Sequence, residues 1–163
     1  MNAQTTGAGG PPPRSQWLQY WSAAPARDAE ALAAEVAEHC QIKDITLPQN
    51  GLGLLKLPDS ALNDLYFLGE VPVSHAHVEV IAPDGTRAEG GARLLDDRQS
   101  LARTLAVLDA ILAGALPLHE KALELLTIGQ AALAKTRAER DAILATTRVD
   151  FSLLGDGSED DDE

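Results

Sequence analysis

Hydrophobic and polar positions follow a helical period at both ends of the chain. Apolar residues recur at spacings of three and four over residues 26–40 and again over residues 98–115, which predicts two amphipathic helices. Pro117 is expected to end the second helix, because proline cannot continue a helix. Another helical pattern covers residues 118–147, but its second half has almost no apolar stripe. That half is therefore expected to cross solvent or to reach another subunit.

The middle of the chain has a different pattern. Between residues 42 and 95 short apolar segments are separated by residues typical of turns, so short strands are predicted. The separators are Pro48, Asn50-Gly51 and Pro58-Asp59. Pro83-Asp84-Gly85 adds the chemistry of a hairpin turn. These segments predict a small antiparallel sheet of three or four strands within an α+β fold that has N-terminal helices and two long C-terminal helices.

The clearest alternation covers residues 74–82. Small apolar side chains point to one side of the predicted strand and polar ones to the other, so one side should be buried. The apolar side holds Ala76, Val78 and Val80, and the polar side holds His75, His77 and Glu79. Two imidazoles and a carboxylate on one face are weak candidates for zinc ligands, since no further ligands complete the set. A solvated or interface face is favoured, and a metal-dependent hydrolase built on these three residues is kept as an alternative.

Three aromatic residues lie close together near the N-terminus. Trp17, Tyr20 and Trp21 have the spacing i, i+3, i+4, which places them on one face of a helix. Ser15 is a suitable N-cap for that helix. Such a cluster most often anchors a helix to its own core, which is the favoured interpretation. The three residues also remain candidates for a partner interface, because aromatic residues dominate interface hot spots, and a helical adaptor is a second alternative function.

Composition divides the chain into one domain and two flanking segments. Residues 1–13 are rich in Gly, Pro and Thr, which predicts a disordered arm. Residues 155–163 are dominated by Asp and Glu and are predicted to form a disordered acidic tail. Residues 14–154 are left as a single domain, in agreement with a total length of 163 residues.

Charge and cysteine content exclude several classes of protein. Lysine and arginine number 13 against 25 for aspartate and glutamate, so the net charge of −12 disfavours nucleic acid as a direct partner. Cys40 is the single cysteine and the N-terminus has no secretory signal, so a cytoplasmic location is expected. No apolar run is long enough to span a bilayer, so no membrane partner is expected. The sequence contains no phosphate-binding loop motif and no G-x-S-x-G motif.

Three short motifs stand out along the chain. In the first, Gly69 and Glu70 follow Tyr66-Phe67-Leu68, which gives an aromatic-x-x-G-E pattern. The second is an A-x-x-D-A helix segment around Asp109, an acid that could be either buried or exposed. The third is Arg148-Val149-Asp150-Phe151, directly after the last predicted helix. Together they resemble the PhnG family, whose members are subunits of the bacterial carbon–phosphorus lyase machinery that degrades phosphonates.

The resemblance covers about residues 15–155 and implies an accessory role. A PhnG-like chain is expected to act in a complex with PhnH-, PhnI- and PhnL-like subunits that transfers the ribose triphosphate of ATP onto a phosphonate and releases adenine. PhnJ later cleaves the carbon–phosphorus bond. The chain is expected to be a subunit of this transferase without catalysis of its own. A homo-oligomer within the complex fits the same expectation.

The resemblance also assigns expected roles to residues. The partner-interface candidates at the C-terminal motif are Arg148, Val149, Asp150 and Phe151. Gly69, Glu70 and Asp109 are expected to be structural motif residues. The family supplies no catalytic residue that can be placed on this chain. Neither a metal nor a cofactor is expected to bind the chain alone. ATP is expected to be the substrate of the whole complex. The positive groups that hold the triphosphate are expected to come from partners, because the chain is acidic.

Overall fold

The computed structural model describes residues 11–59 and 64–146, which form a three-stranded antiparallel sheet and four α-helices. After a 3-10 turn at Arg14–Gln16 the elements are α1 (Trp17–Ala23), α2 (Ala26–His39), β1 (Gln41–Pro58), β2 (Leu65–Ile81), β3 (Arg87–Leu94), α3 (Gln99–Ala113) and α4 (His119–Thr146). The predicted α+β class is confirmed. Of the two C-terminal helices that were expected to be long, α4 has 28 residues and α3 has 15, so that expectation is met in part.

The core lies between the sheet and α3. The strands are ordered β1-β2-β3, and α3 packs on β2 and β3 while its other side contacts α2 and α4. Its residues 105–111 are consequently all buried. The alternation predicted for residues 74–82 is confirmed, because the alanine and valine side chains are buried under α3 and the polar ones lie half-buried on the outer face, the sheet face away from α3.

Helix α1 is held against α4 by its aromatic side chains. Trp21 is buried, and its indole Nε1 donates a hydrogen bond to the Ala122 carbonyl oxygen at 3.0 Å. Trp17 is also buried and meets Trp21 edge-on, with ring centroids 5.9 Å apart. The favoured core interpretation therefore holds for these two tryptophans, and the partner-interface assignment does not fit them. Tyr20 is half-buried and packs beside the same helix pair.

Three details near the N-terminus and in the sheet differ from the predictions. Ser15 is not an N-cap, because it lies inside the 3-10 turn that precedes α1. The predicted break at Pro48 is wrong, since β1 continues through it as one strand of 18 residues. β1 is an edge strand, where a missing N–H is tolerated, and the register shift between Thr46 and Gln49 accommodates the proline. Asn50-Gly51 also continues the ladder in place of turning, opposite residues 73 and 74.

The hairpin turn between β2 and β3 is formed by the predicted Pro83-Asp84-Gly85 segment. The Asp84 carboxylate accepts a hydrogen bond from the Thr86 backbone N–H at 2.8 Å, and Gly85 adopts a φ of +87°. The same backbone hydrogen bond lowers the pKa of Asp84. The hairpin turn predicted at Pro83-Asp84-Gly85 is therefore confirmed, and the strands on either side of it, β2 and β3, pair with each other.

Candidate functional site

The most unusual feature of the molecule is a long two-stranded ribbon that extends beyond the core. Helix α3 reaches β1 near its start, where Arg103 pairs with Asp44 at 2.7 Å. Further along, residues 47–58 of β1 and 65–73 of β2 are largely exposed, and residues 51–58 pair with residues 65–73; we call these two segments the ribbon. Its large exposed apolar side chains are Leu47, Leu52, Leu54, Leu65, Tyr66, Phe67 and Leu68.

Both faces of the ribbon carry apolar side chains. On one face Phe67 lies opposite Lys56, whose Nζ is 5.4 Å from the Phe67 ring centroid. On the other face Tyr66 lies opposite Leu57. The exposed fraction is 58% for Phe67 and 49% for Tyr66, so neither face is covered by the described part of the chain. Exposed apolar patches of this kind are typical of surfaces that bind another protein, a ligand or a membrane.

The Gly69-Glu70 motif lies within the ribbon. The register shifts after Leu55, which lies opposite Gly69, and this shift leaves Leu68 as the extra residue of a bulge. Gly69 has a φ of +148°, a backbone conformation that other residues rarely adopt. Glu70 is exposed. The motif therefore produces a bulge in the ribbon, and the unpaired Leu68 at this bulge is exposed.

The end of α4 is a second exposed feature. Every residue from 134 to 146 is exposed, as expected for a half-helix without an apolar stripe. Lys135 and Glu139 form a long ion pair of 3.9 Å, one turn apart along the helix. Ile143 and Leu144 nevertheless expose two large apolar side chains at its last turn. The interface candidates Arg148 to Phe151 follow this helix and lie outside the described residues.

The histidine-rich strand face does not form a metal centre in the described chain. His77 Nε2 lies 3.1 Å from Glu89 Oε2, and Glu79 pairs with Arg87 at 3.7 Å, so each group has a partner on β3. Across residues 11–59 and 64–146 no three His, Cys, Asp or Glu side chains come together as ligands. The hydrolase alternative built on His75, His77 and Glu79 therefore gains no support from the geometry.

Asp109 is buried and has a structural role in the described chain. Arg14 donates hydrogen bonds from Nε and Nη2 to the two carboxylate oxygens, and the Gly91 N–H donates to Oδ2 at 2.9 Å. The hydrogen bond to Asp109 raises the pKa of Arg14. The question that the sequence left open is thus decided in favour of burial, and Asp109 joins the N-terminal turn, β3 and α3.

Cys40 is not prepared for nucleophilic chemistry. Its side chain is buried at the end of α2. Burial, followed by the negative charge of Asp84, raises the pKa of the thiol. Because the thiolate is the reactive form, a raised pKa disfavours nucleophilic chemistry at Cys40.

The ribbon is a candidate functional surface that sequence reasoning missed. One signal for it was present: Leu65-Tyr66-Phe67-Leu68 places four large apolar residues in a row, and a strand with one buried face can bury only every second one. The position of the glycine motif directly after this run was a further signal.

Comparison with known proteins agrees with the motifs. A family model described as phosphonate metabolism protein PhnG matches residues 12–157, which include the ribbon, Asp109 and α4. No curated protein matches the chain. None of the helices in the described ranges combines the length and the apolar character needed to cross a membrane.

Proposed function

The chain belongs to the PhnG family of phosphonate metabolism proteins, and from this premise we propose that it is an accessory subunit of a transferase complex. The complex would transfer the ribose triphosphate of ATP onto a phosphonate and release adenine, in the pathway that ends with cleavage of the carbon–phosphorus bond. The partners would be PhnH-, PhnI- and PhnL-like subunits, with a PhnJ-like subunit acting later. The chain would work in the cytoplasm.

The observation that carries this proposal is the two-sided apolar ribbon. Leaving apolar area in water costs roughly 25 cal/mol per Å² compared with burying it. An exposed ribbon of this kind is therefore unfavourable in a protein that acts alone, and a partner that buries it recovers this free energy. Leu52 and Leu54 on β1 are 69% and 64% exposed, and Leu68 on β2 is 60% exposed. Because both faces are apolar, the partner must enclose the ribbon, either by inserting it between two elements or by covering it from two sides.

The end of α4 supports the same proposal from another part of the molecule. Its exposed Ile143 and Leu144 lead directly toward Arg148 to Phe151, which resemble a family motif. A helix end followed by an arginine and an aromatic residue offers the residue types that dominate interface hot spots. We therefore place a second contact with the partners here.

The accessory role is consistent with the chemistry of the described residues. The only cysteine is buried, and the histidines of the sheet are paired or isolated from other ligand-type side chains. The excess of 12 negative charges also opposes unaided capture of ATP. The catalytic groups of the transfer would then lie on partner subunits. The helical-adaptor alternative loses its proposed surface, since Trp17 and Trp21 are buried in this chain.

The ribbon contact can be tested with a matched pair of variants. Phe67→Ser combined with Leu68→Ser should weaken binding to the partner subunits about tenfold or more, because each side chain would lose an apolar contact at an interface. Leu95→Ser is the control, since Leu95 is 75% exposed but lies outside the ribbon. Affinity for purified partners and the Tm of the isolated chain are the readouts. Equal affinity of both variants and the native chain would contradict the proposal.

The role in the reaction needs a reconstitution experiment. PhnH-, PhnI- and PhnL-like subunits are incubated with ATP and methylphosphonate, with and without the purified chain, and adenine and the ribose triphosphate ester are measured. We expect the ester only when the chain is present, and no adenine from the chain by itself. Full ester formation without the chain would contradict the accessory role, and adenine release by the chain alone would contradict its lack of catalysis.

A further inference from the structure

Three polar side chains form a row across the outer face of the sheet. Gln49 of β1 lies opposite His75 of β2, and His75 lies opposite Arg93 of β3. Paired residues of antiparallel strands point to the same face, and neighbouring strands are about 4.8 Å apart. The row therefore presents an amide, an imidazole and a guanidinium side by side, at the point where the ribbon leaves the core.

These side chains line a cleft of about 390 Å³. This volume is within the range of about 300–1,000 Å³ that is usual for small-molecule sites. Gly51, Gly53 and Val73 form part of its wall, and no carboxylate lines it. A second cleft, between α2 and α4, is by contrast lined by Asp28, Glu35 and Glu124. The cleft at the ribbon base thus has no acidic side chain in its wall, although the protein as a whole is acidic.

Arg93 supplies the permanent positive charge of this row. Among the eight described arginines, Arg137 and Arg140 on the exposed half of α4 have no carboxylate oxygen of a described residue within 4.0 Å, whereas Arg14, Arg27, Arg87, Arg98 and Arg103 each have one. Of the two arginines on β3, Arg87 pairs with Glu79, and Arg93 has no carboxylate partner among the described residues. Among the described residues, Gln49 and His75 likewise make no side-chain hydrogen bond, so all three groups are available to a ligand.

We propose that this cleft binds an oxyanion of the phosphate class, meaning a phosphate, a phosphonate or the phosphates of a nucleotide. The guanidinium of Arg93 would donate two parallel hydrogen bonds to two oxygens, the geometry in which arginine recognises such groups. His75 and the Gln49 amide would donate to the remaining oxygens. Donors on three strands suit a tetrahedral oxyanion, which offers three acceptor oxygens in different directions, better than a planar carboxylate with two.

The proposal goes beyond the accessory role and does not depend on it, because the site is complete within this chain. It also revises the expectation that all positive groups come from partners. The net charge of −12 opposes anion binding at long range, but exposed charges are screened beyond about 8 Å at physiological salt. Within that distance the unpaired guanidinium dominates the cleft.

Titration of the isolated full-length chain tests the site without any partner. Inorganic phosphate, methylphosphonate and tripolyphosphate are added at constant ionic strength while backbone amide signals are followed by NMR, and acetate is the carboxylate probe. We expect saturable shifts at residues 49–53, 75 and 93 with at least one phosphate-class probe and weaker binding of acetate. The tightest of the three probes then identifies the source of the group as free phosphate, a phosphonate or a polyphosphate chain.

A matched pair of arginine variants completes the test. Arg93→Gln should weaken binding about tenfold, because two charge-assisted hydrogen bonds are lost. Arg87→Gln should leave it unchanged, since Arg87 lies on the same strand but pairs with Glu79. Arg93→Lys should bind with intermediate affinity, because lysine keeps the positive charge but lacks the planar guanidinium that donates two parallel hydrogen bonds. Absence of saturable shifts with all three probes, equal affinity for acetate, or native affinity in Arg93→Gln would each overturn the proposal.

Discussion

Arg14 and Asp109 are 95 residues apart in sequence and form a two-pronged ion pair, with Nε to Oδ1 at 2.9 Å and Nη2 to Oδ2 at 2.7 Å. Arg14 Nη2 also donates to the Glu89 carbonyl oxygen at 3.1 Å. The Asp109 side chain is 7% exposed and that of Arg14 is 53% exposed. One buried carboxylate thus joins the turn before α1, strand β3 and helix α3.

Removing this carboxylate should destabilise the fold. Asp109→Ala is expected to lower the free energy of unfolding by about 2 kcal/mol, because Arg14 and the Gly91 N–H both lose their acceptor. Asp109→Asn should lose about half as much, since one carbonyl acceptor and the volume remain. Urea unfolding at neutral pH measures both. Asp97→Ala, at an exposed carboxylate before α3, is the control, and equal stability of the Asp97 and Asp109 variants would contradict the expectation.

Stability should fall in acid partly through Asp96. Partial burial opposes its ionisation, but hydrogen bonds from the Arg98 backbone and side chain and from the Ser74 hydroxyl outweigh this and lower the pKa of Asp96. A carboxylate whose pKa is lower in the folded state contributes stability above its unfolded pKa of about 3.9 and loses that contribution as the pH falls through the folded pKa.

Asp96→Asn therefore tests the pH dependence. The variant should be less stable than the native chain near neutral pH, and the difference should shrink as the pH falls below about 3.9. Urea midpoints across this range measure it, with Asp97→Asn as the neighbouring control. A difference that stays constant with pH would show that the carboxylate charge is not what stabilises this turn.

The packing of α3 on β3 depends on Gly90. A Cβ at this position would collide with the backbone of Ala106 and Ala110, whereas at Gly91 the nearest atom is the Ala76 carbonyl oxygen at 3.8 Å. Gly90→Ala is thus expected to cost about 3 kcal/mol through overpacking, and Gly91→Ala much less. The Tm of the two variants, which differ by one position and have the same new side chain, should separate clearly. Similar Tm values would mean that α3 shifts away from β3 at little cost.

The elements that the sequence predicted correctly are those defined by residues close together along the chain. The last helix was expected over residues 118–147 and is observed at His119–Thr146, because an uninterrupted helical pattern after a proline needs no distant contact to define it. The Pro83-Asp84-Gly85 turn and the alternation of residues 74–82 were predicted for the same reason.

Features that depend on distant parts of the chain were not predictable. Pro48 reads as a strand breaker, and only its position on an edge strand makes it acceptable. The burial of Asp109 depends on Arg14, which is far away in sequence. The ribbon was missed because apolar segments were expected to pack within the chain, whereas Phe67 and its neighbours are exposed. The cleft at Arg93 was missed because it needs the register of three strands.

The end of α4 should contribute to partner binding and not to the fold. Ile143 and Leu144 are 64% and 65% exposed, so Ile143→Ser with Leu144→Ser is expected to leave the Tm of the isolated chain within about 1 °C of the native value. The same change should weaken binding to a PhnI-like partner, because two apolar contacts at an interface would be lost. Thermal unfolding and affinity for the purified partner measure the two effects.

The C-terminal motif should behave in the same way. Val149→Ala with Phe151→Ala, or Arg148→Glu alone, is expected to reduce partner affinity about tenfold while changing the Tm little, since aromatic and arginine anchors dominate interface energies. Ala138→Ser, on an exposed part of α4 without large apolar groups, is the control for general effects on the helix. A clear drop in Tm with native affinity would instead place Val149 and Phe151 in the core of this chain, and the second contact proposed for the complex would then be wrong.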